Sequence, residues 1–243
     1  MYKTFLLFLG ATFSLFLACC SSDEDSSLTQ SPNQDAESKL YSDYSMLAAS
    51  NSNELFESLG IGSNNSRSEG KSLLAYLLSL SNEELDSLKT VYPVSEENDV
   101  DEQYDKAIDY LMENYPLEVV TNFISVTNSY FEMGGHNKDY IFSNIKDMPE
   151  SMKNITIGIA AYFDEYTDGV QLLSSRSFGC KDMLALELGG MLVVDFADAA
   201  MGGAIGGAVG EGFAIYNIST TDLATVVNAL AKYRWCERTG VFL

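Results

Sequence analysis

An all-α fold is predicted by three features of this chain. From residue 72 onward, apolar residues recur at helical spacing in one segment after another, the pattern that gives a helix its core-facing stripe. Capping and stop residues bracket those segments. No pair of alternating apolar runs is joined by a short hairpin turn. The expected architecture is a helical domain that follows a disordered N-terminal tether and carries a long Gly-rich helix near its C-terminus.

The chain opens with Lys3, an uncharged run from Thr4 to Ala18, and the adjacent pair Cys19 and Cys20. The apolar part stops near Ala18 and a Ser/Asp/Glu segment follows at once, the layout of a cleaved leader rather than of a membrane-spanning helix. This order resembles a bacterial lipoprotein signal peptide with its lipobox. The resemblance implies that a cysteine is acylated and becomes the mature N-terminus. Cys20 is the favoured residue, with Leu17 and Ala18 at the preferred third and second positions before the cut. Cys19 is the alternative, with Ala18 in the last position. The run Cys20-Ser21-Ser22-Asp23-Glu24-Asp25 resembles the acidic export signal of surface lipoproteins in the Bacteroidota. It implies a lipid-anchored, surface-exposed protein of the cell outer membrane. Several acyl chains would hold it there, since one chain binds only marginally.

The organisation expected is a signal peptide at 1–19, a flexible acidic and Ser-rich tether at 20–66, and a helical domain at 67–243. Residues 21–66 are rich in Ser, Asn, Asp and Glu, a composition that buries too little apolar surface to offset ordering. Within it, Leu40–Ala49 and Glu54–Leu59 carry enough apolar side chains for a short helix docked back on the domain. Ser72–Leu80 is a compact apolar stretch. Ser81-Asn82-Glu83-Glu84 reads as a capping box opening a helix that runs to Tyr92 and stops at Pro93. From Val100, residues Tyr104, Ile108, Leu111 and Met112 share one face up to Tyr115 and Pro116. Leu117–Phe131 has strand-favouring residues but no clean alternation, so a helix is expected there. Gly134-Gly135-His136-Asn137 is a loop. Pro149 suits a helix start and Gly169 its stop.

The most unusual segment runs from Asp182 to Gly212. Gly202, Gly206 and Gly210 are spaced by four, as are Ala199, Gly203 and Gly207. A helix there would carry two neighbouring stripes without bulky side chains, which permits close helix packing. The run resembles glycine-zipper segments of envelope lipoproteins and membrane-active peptides. Its uncharged part, Ala199–Gly210, is shorter than the ~20 residues a bilayer requires. A further helix from Thr220 or Thr221 to Trp235 would fold back on it. Cys180 and Cys236 would then lie at corresponding ends, as one disulfide or as two buried thiols. At ~1.5 Å per residue the first arm is about 45 Å and the second about 24 Å. A bridge therefore requires the long helix to break, at Gly189-Gly190 or Gly202-Gly203.

Composition narrows the function. There are 35 acidic and 14 basic residues, for a net charge of −21, a field that repels nucleic acid and anionic head groups. No nucleic-acid partner is expected. The chain contains one histidine, His136, so any triad or histidine-bearing zinc site would be built on it; it reads as an exposed loop residue. Asp164-Glu165-Tyr166-Thr167-Asp168-Gly169 resembles an EF-hand opening, but Tyr166 and Ser175 occupy the third and twelfth positions, where carboxylate or amide ligands are required. Asp99, Asp101 and Glu102 read as a solvated helix start. Asp86-Ser87-Leu88 resembles the three-residue O-glycosylation site of Bacteroidota exported proteins. No metal, cofactor or catalytic residue is expected. The reading is a non-enzymatic binding or assembly module anchored to the membrane, with a protein partner or self-association. The alternatives are a membrane-active glycine-zipper protein and a carboxylate-dependent hydrolase.

Overall fold

A computed structural model describes residues 32–59, 72–93, 100–172, 179–201 and 220–241. Among them every regular element is a helix: α1 (Pro32–Ser58), α2 (Leu73–Ser79), α3 (Asn82–Val91), α4 (Val100–Asn114), α5 (Leu117–Glu132), α6 (Lys138–Asn144), α7 (Glu150–Thr167), α8 (Cys180–Met201) and α9 (Thr220–Thr239).

Helix starts follow the capping residues. Ser72 accepts from the Ala75 N–H, and Ser81 and Glu84 form a reciprocal capping box. The Ser81 N–H donates to Glu84 at 2.7 Å, and that bond holds the Glu84 carboxyl below its usual range. Pro116 and Pro149 stand at the N-caps of α5 and α7. The segment Leu117–Glu132 is helical throughout: Val120, Phe123, Val126, Thr127, Tyr130 and Phe131 all turn inward. Their spacing of three and four outweighs the β-branched composition.

Helix α7 is the axis of the core. Every residue from Ile155 to Asp164 is buried, and α1, α2, α5, α6 and α8 all pack against it. Each Ile or Phe buried there contributes about 1.5–3 kcal/mol. The ring of Phe196 in α8 lies directly over Gly158 in α7, and the ring of Phe131 in α5 lies over Gly189 in α8. Phe196 also meets Tyr44 and Tyr162 edge-on, with ring centroids 5.8 and 5.4 Å away. This aromatic corner joins α1, α7 and α8.

Two expectations are corrected. The tether assigned to 20–66 includes α1, a 27-residue helix that packs on α7. Tyr44, Ala48, Leu55 and Phe56 are core residues, so the packed domain begins at Pro32 rather than at residue 67. The long Gly-rich helix was to break at Gly189-Gly190 or at Gly202-Gly203 if Cys180 and Cys236 met. Helix α8 runs through Gly189-Gly190, with the Phe131 ring against Gly189, and Gly202-Gly203 lies outside the described residues.

Cys180 and Cys236 form a disulfide, with Cα atoms 5.6 Å apart. The described part of α8 runs from Cys180 to Met201, 22 residues, and α9 reaches Cys236 from Thr220 in 17 residues, as 236 − 220 + 1 gives, about 33 and 26 Å. The Lys232 ammonium pairs with Glu187 at 2.9 Å, which fixes α8 and α9 as an antiparallel pair.

The bridge spans 56 residues, and closing a loop of that size stabilises by about 4 kcal/mol in the chain-entropy treatment. Reduction, or Cys180→Ser combined with Cys236→Ser, is expected to lower stability by about that amount. Thermal unfolding with and without reductant checks this, and an unchanged Tm would contradict it.

Candidate functional site

A cavity of about 440 Å³ opens where α2, the segment after α7, the start of α8 and the end of α9 converge. Such a volume falls within the range of small-molecule sites, roughly 300–1,000 Å³. Local sequence builds each wall. Helix α7 ends at Thr167 with Asp168 as its cap, and Gly169 at φ +70° turns the chain away. This is the helix end with a Gly stop that the sequence indicates. Leu172 then anchors in the core. The disulfide at Cys180 and Cys236 holds Lys181 on one wall and Tyr233 and Arg234 on the other.

Both cations at the cavity are oriented by neutral oxygens. Lys181 Nζ donates to the Gln171 carbonyl at 3.0 Å. Arg234 donates to Asn82 Oδ1 at 3.0 Å, and to the carbonyls of Leu78 and Leu80. The guanidinium thus caps the C-terminal end of α2, where unpaired carbonyls favour a cation. Among the described residues, neither Lys181 nor Arg234 is in an ion pair. Ala75, Leu78, Leu172 and Leu184 give the cavity an apolar floor.

A second polar cluster lies inside the fold. Asp164 falls on the core-facing side of α7, and its carboxylate collects three donors: the hydroxyls of Tyr41 and Tyr130, the latter at 2.6 Å, and the His136 N–H at 2.7 Å. Those donors come from α1, from α5 and from the loop after α5. The loop is shaped for this contact. Gly134, Gly135 and His136 take φ of 77°, 73° and 57°. A Cβ on Gly135 would stand 2.5 Å from Asp164 Oδ1. The His136 side chain is exposed, with Nε2 3.3 Å from Thr167 Oγ1. Burial, then the charge of Asp164, pushes the Tyr41 and Tyr130 hydroxyls far above their ordinary range. Burial does the same to Tyr44 and Tyr162, and Tyr162 also accepts from Asn51 at 3.1 Å. These bonds use the cluster to join helices rather than to face a ligand.

The residues singled out from sequence are distributed as follows. Cys19 and Cys20 lie outside the described residues, as do Gly202, Gly203, Gly206, Gly207, Gly210, Asp99 and Ser175. Ala199 is buried in α8. Ser87 is exposed on α3, its hydroxyl donating to the Glu83 carbonyl at 2.9 Å. Among the carboxylates of α8, Asp195 is buried, Glu187 pairs with Lys232 and Asp198 is exposed. Among the described residues, no group of three or more His, Cys, Asp or Glu is placed to hold a metal. Sequence reasoning missed Asp164, Tyr41, Lys181 and Arg234. One signal for Asp164 was present: it shares a helical stripe with Ile157, Ala160 and Ala161, and a carboxylate on an apolar stripe needs partners.

The chain matches no family model, no curated protein and no solved structure.

Gly135→Ala and Gly169→Ala both force alanine to a positive φ, but only the first meets atoms, since nothing lies within 4 Å of a Cβ at Gly169. Gly169→Ala is expected to cost about 1 kcal/mol and Gly135→Ala at least about 2 kcal/mol more, as Asp164 is displaced from its donors. Chemical denaturation of the two variants compares them directly. In alkaline difference spectroscopy, Tyr41, Tyr44, Tyr130 and Tyr162 should stay protonated in the folded chain. Their folded pKa is raised, so stability is full below the unfolded value of about 10 and falls above it. Ionisation of all tyrosines near pH 10 with the fold intact would contradict the burial described.

Proposed function

We propose that this chain is a lipid-anchored protein of the cell outer membrane, acylated on Cys20 and exposed at the surface, whose helical domain is a non-enzymatic binding module. The observation that carries the binding reading is the cavity beside the disulfide, with an apolar floor and two cations that are in no ion pair among the described residues. Its lining contains Lys181 and Arg234 and no carboxylate among the described residues, a set of groups suited to holding a ligand rather than to carboxylate-assisted hydrolysis. The Cys180–Cys236 bridge supports an address outside the reducing cytoplasm. Asp164, the carboxylate most enclosed by donors, is spent on joining α1, α5 and α7.

A protein partner or a second copy remains compatible with the same module. The membrane-active alternative depends on Ala199–Gly212, most of which lies outside the described residues. No described helix is long and apolar enough to cross a membrane.

Metabolic labelling with an alkynyl fatty acid tests the anchor. Cys20→Ser is expected to lose the label and to release the protein from the membrane fraction, while Cys19→Ser keeps both. Label that disappears only in Cys19→Ser would move the acylation site by one residue. Label that persists when both cysteines are replaced would contradict the anchor itself.

A further inference from the structure

We propose that the cavity walled by Lys181 and Arg234 is a recognition site for a small carboxylic acid with an apolar body. This deepens the binding reading above and rests on it. The argument begins with charge. The chain carries a net charge of −21, yet two of its few cations are brought to one cavity by segments 53 residues apart, as 234 − 181 gives. Neither is neutralised by a carboxylate among the described residues. Glu84 feels the Arg234 charge, but the Ser81 N–H engages its carboxylate first.

The acceptors that hold these cations are a backbone carbonyl for Lys181, and two carbonyls and a side-chain amide for Arg234. Such neutral partners fix the positions of the cations and leave their charge in place. An incoming carboxylate would gain charge-assisted hydrogen bonds, which are roughly twice as strong as neutral ones. The rest of the lining selects the body of the ligand. Leu78, Leu172 and Leu184 are apolar, and Leu172 and Leu184 are anchored in the core. A volume of about 440 Å³ accommodates one ring or a short aliphatic chain together with its acid group. The disulfide gives the site rigidity, since it ties the residue next to Lys181 to the last turns of α9, where Tyr233 and Arg234 sit. A site held in its binding shape loses less to ordering when the ligand arrives.

The matched pair 3-phenylpropionate and 3-phenylpropionamide separates charge from shape. Both would be titrated into the full chain purified in detergent, by calorimetry and by the fluorescence of Trp235, the chain's one tryptophan and the neighbour of Arg234. The acid is expected to bind saturably and at least about tenfold more tightly than the amide. Lys181→Met should remove that preference and Lys181→Arg should retain it. All four titrations share one detergent, so partition into micelles is common to them. Circular dichroism of each variant reports folding, and Lys181→Gln, which also removes the charge, repeats the test if Lys181→Met unfolds. Equal binding of acid and amide would overturn the carboxylate class while leaving a binding cavity. No saturable binding of either by the folded parent would overturn both the class and the cavity as a binding site. A preference that survives Lys181→Met would place recognition elsewhere and overturn the proposal.

Discussion

A carboxylate buried in an apolar core dictates much of this fold. Asp164 sits within the central helix α7, and a charge in that position is tolerable only when its oxygens are filled by donors. The donors come from Tyr41 in α1, Tyr130 in α5 and the backbone of His136, segments that lie up to 123 residues from Asp164. Satisfying one side chain therefore fixes where α1 lies, how α5 ends and why the loop after α5 passes through the left-handed region at three successive residues. The aromatic packing follows: Tyr130 is stacked by Tyr140 and met edge-on by Phe163, and Tyr41 by Phe142. Leaving any of these donors without an acceptor would cost about 1–3 kcal/mol.

Just beyond Asp164, where α7 ends, the governing constraint is covalent. The chain leaves the helix at Gly169, returns through Leu172 to start α8 at Cys180, and is joined there to α9 at Cys236. The same junction carries Arg234 to the carbonyls that end α2. One guanidinium thereby closes a helix terminus in a distant part of the chain and stands at the wall of a cavity. The bonds that orient Lys181 and Arg234 come from neutral oxygens.

Most of the helices were legible in the sequence because their stripes are strongly apolar and their ends are marked. Ser81 with Glu84, Pro116, Pro149 and Gly169 all act where spacing and chemistry place them. Helix α1 was legible only as a short docked helix within a tether, for a physical reason. Its inward positions, Tyr44, Ala48, Asn51, Ser52, Leu55 and Phe56, keep the helical period, but half of them are small or polar, so hydropathy reads a tether. Asn51 is accepted into the interior by its bond to Tyr162, a partner 111 residues away that no local window contains. The short α6 was also missed, because its seven residues carry less than two turns of pattern. Cys180 and Cys236 were legible as a pair, with a disulfide as one of the two arrangements the sequence left open. Lys181 and Arg234 look like ordinary surface cations until the disulfide register is known.

The central claim is that residues from Pro32 onward form one cooperative core around α7, with α1 held by Asp164 rather than trailing as a tether. Hydrogen exchange of the intact chain followed by mass spectrometry tests it most directly, because residues in one cooperative unit open together. The account predicts that peptides covering residues 44–56 exchange as slowly as those covering residues 155–164, and that both accelerate together in Asp164→Ala. Complete exchange of residues 44–56 within seconds, while residues 155–164 stay protected, would contradict it.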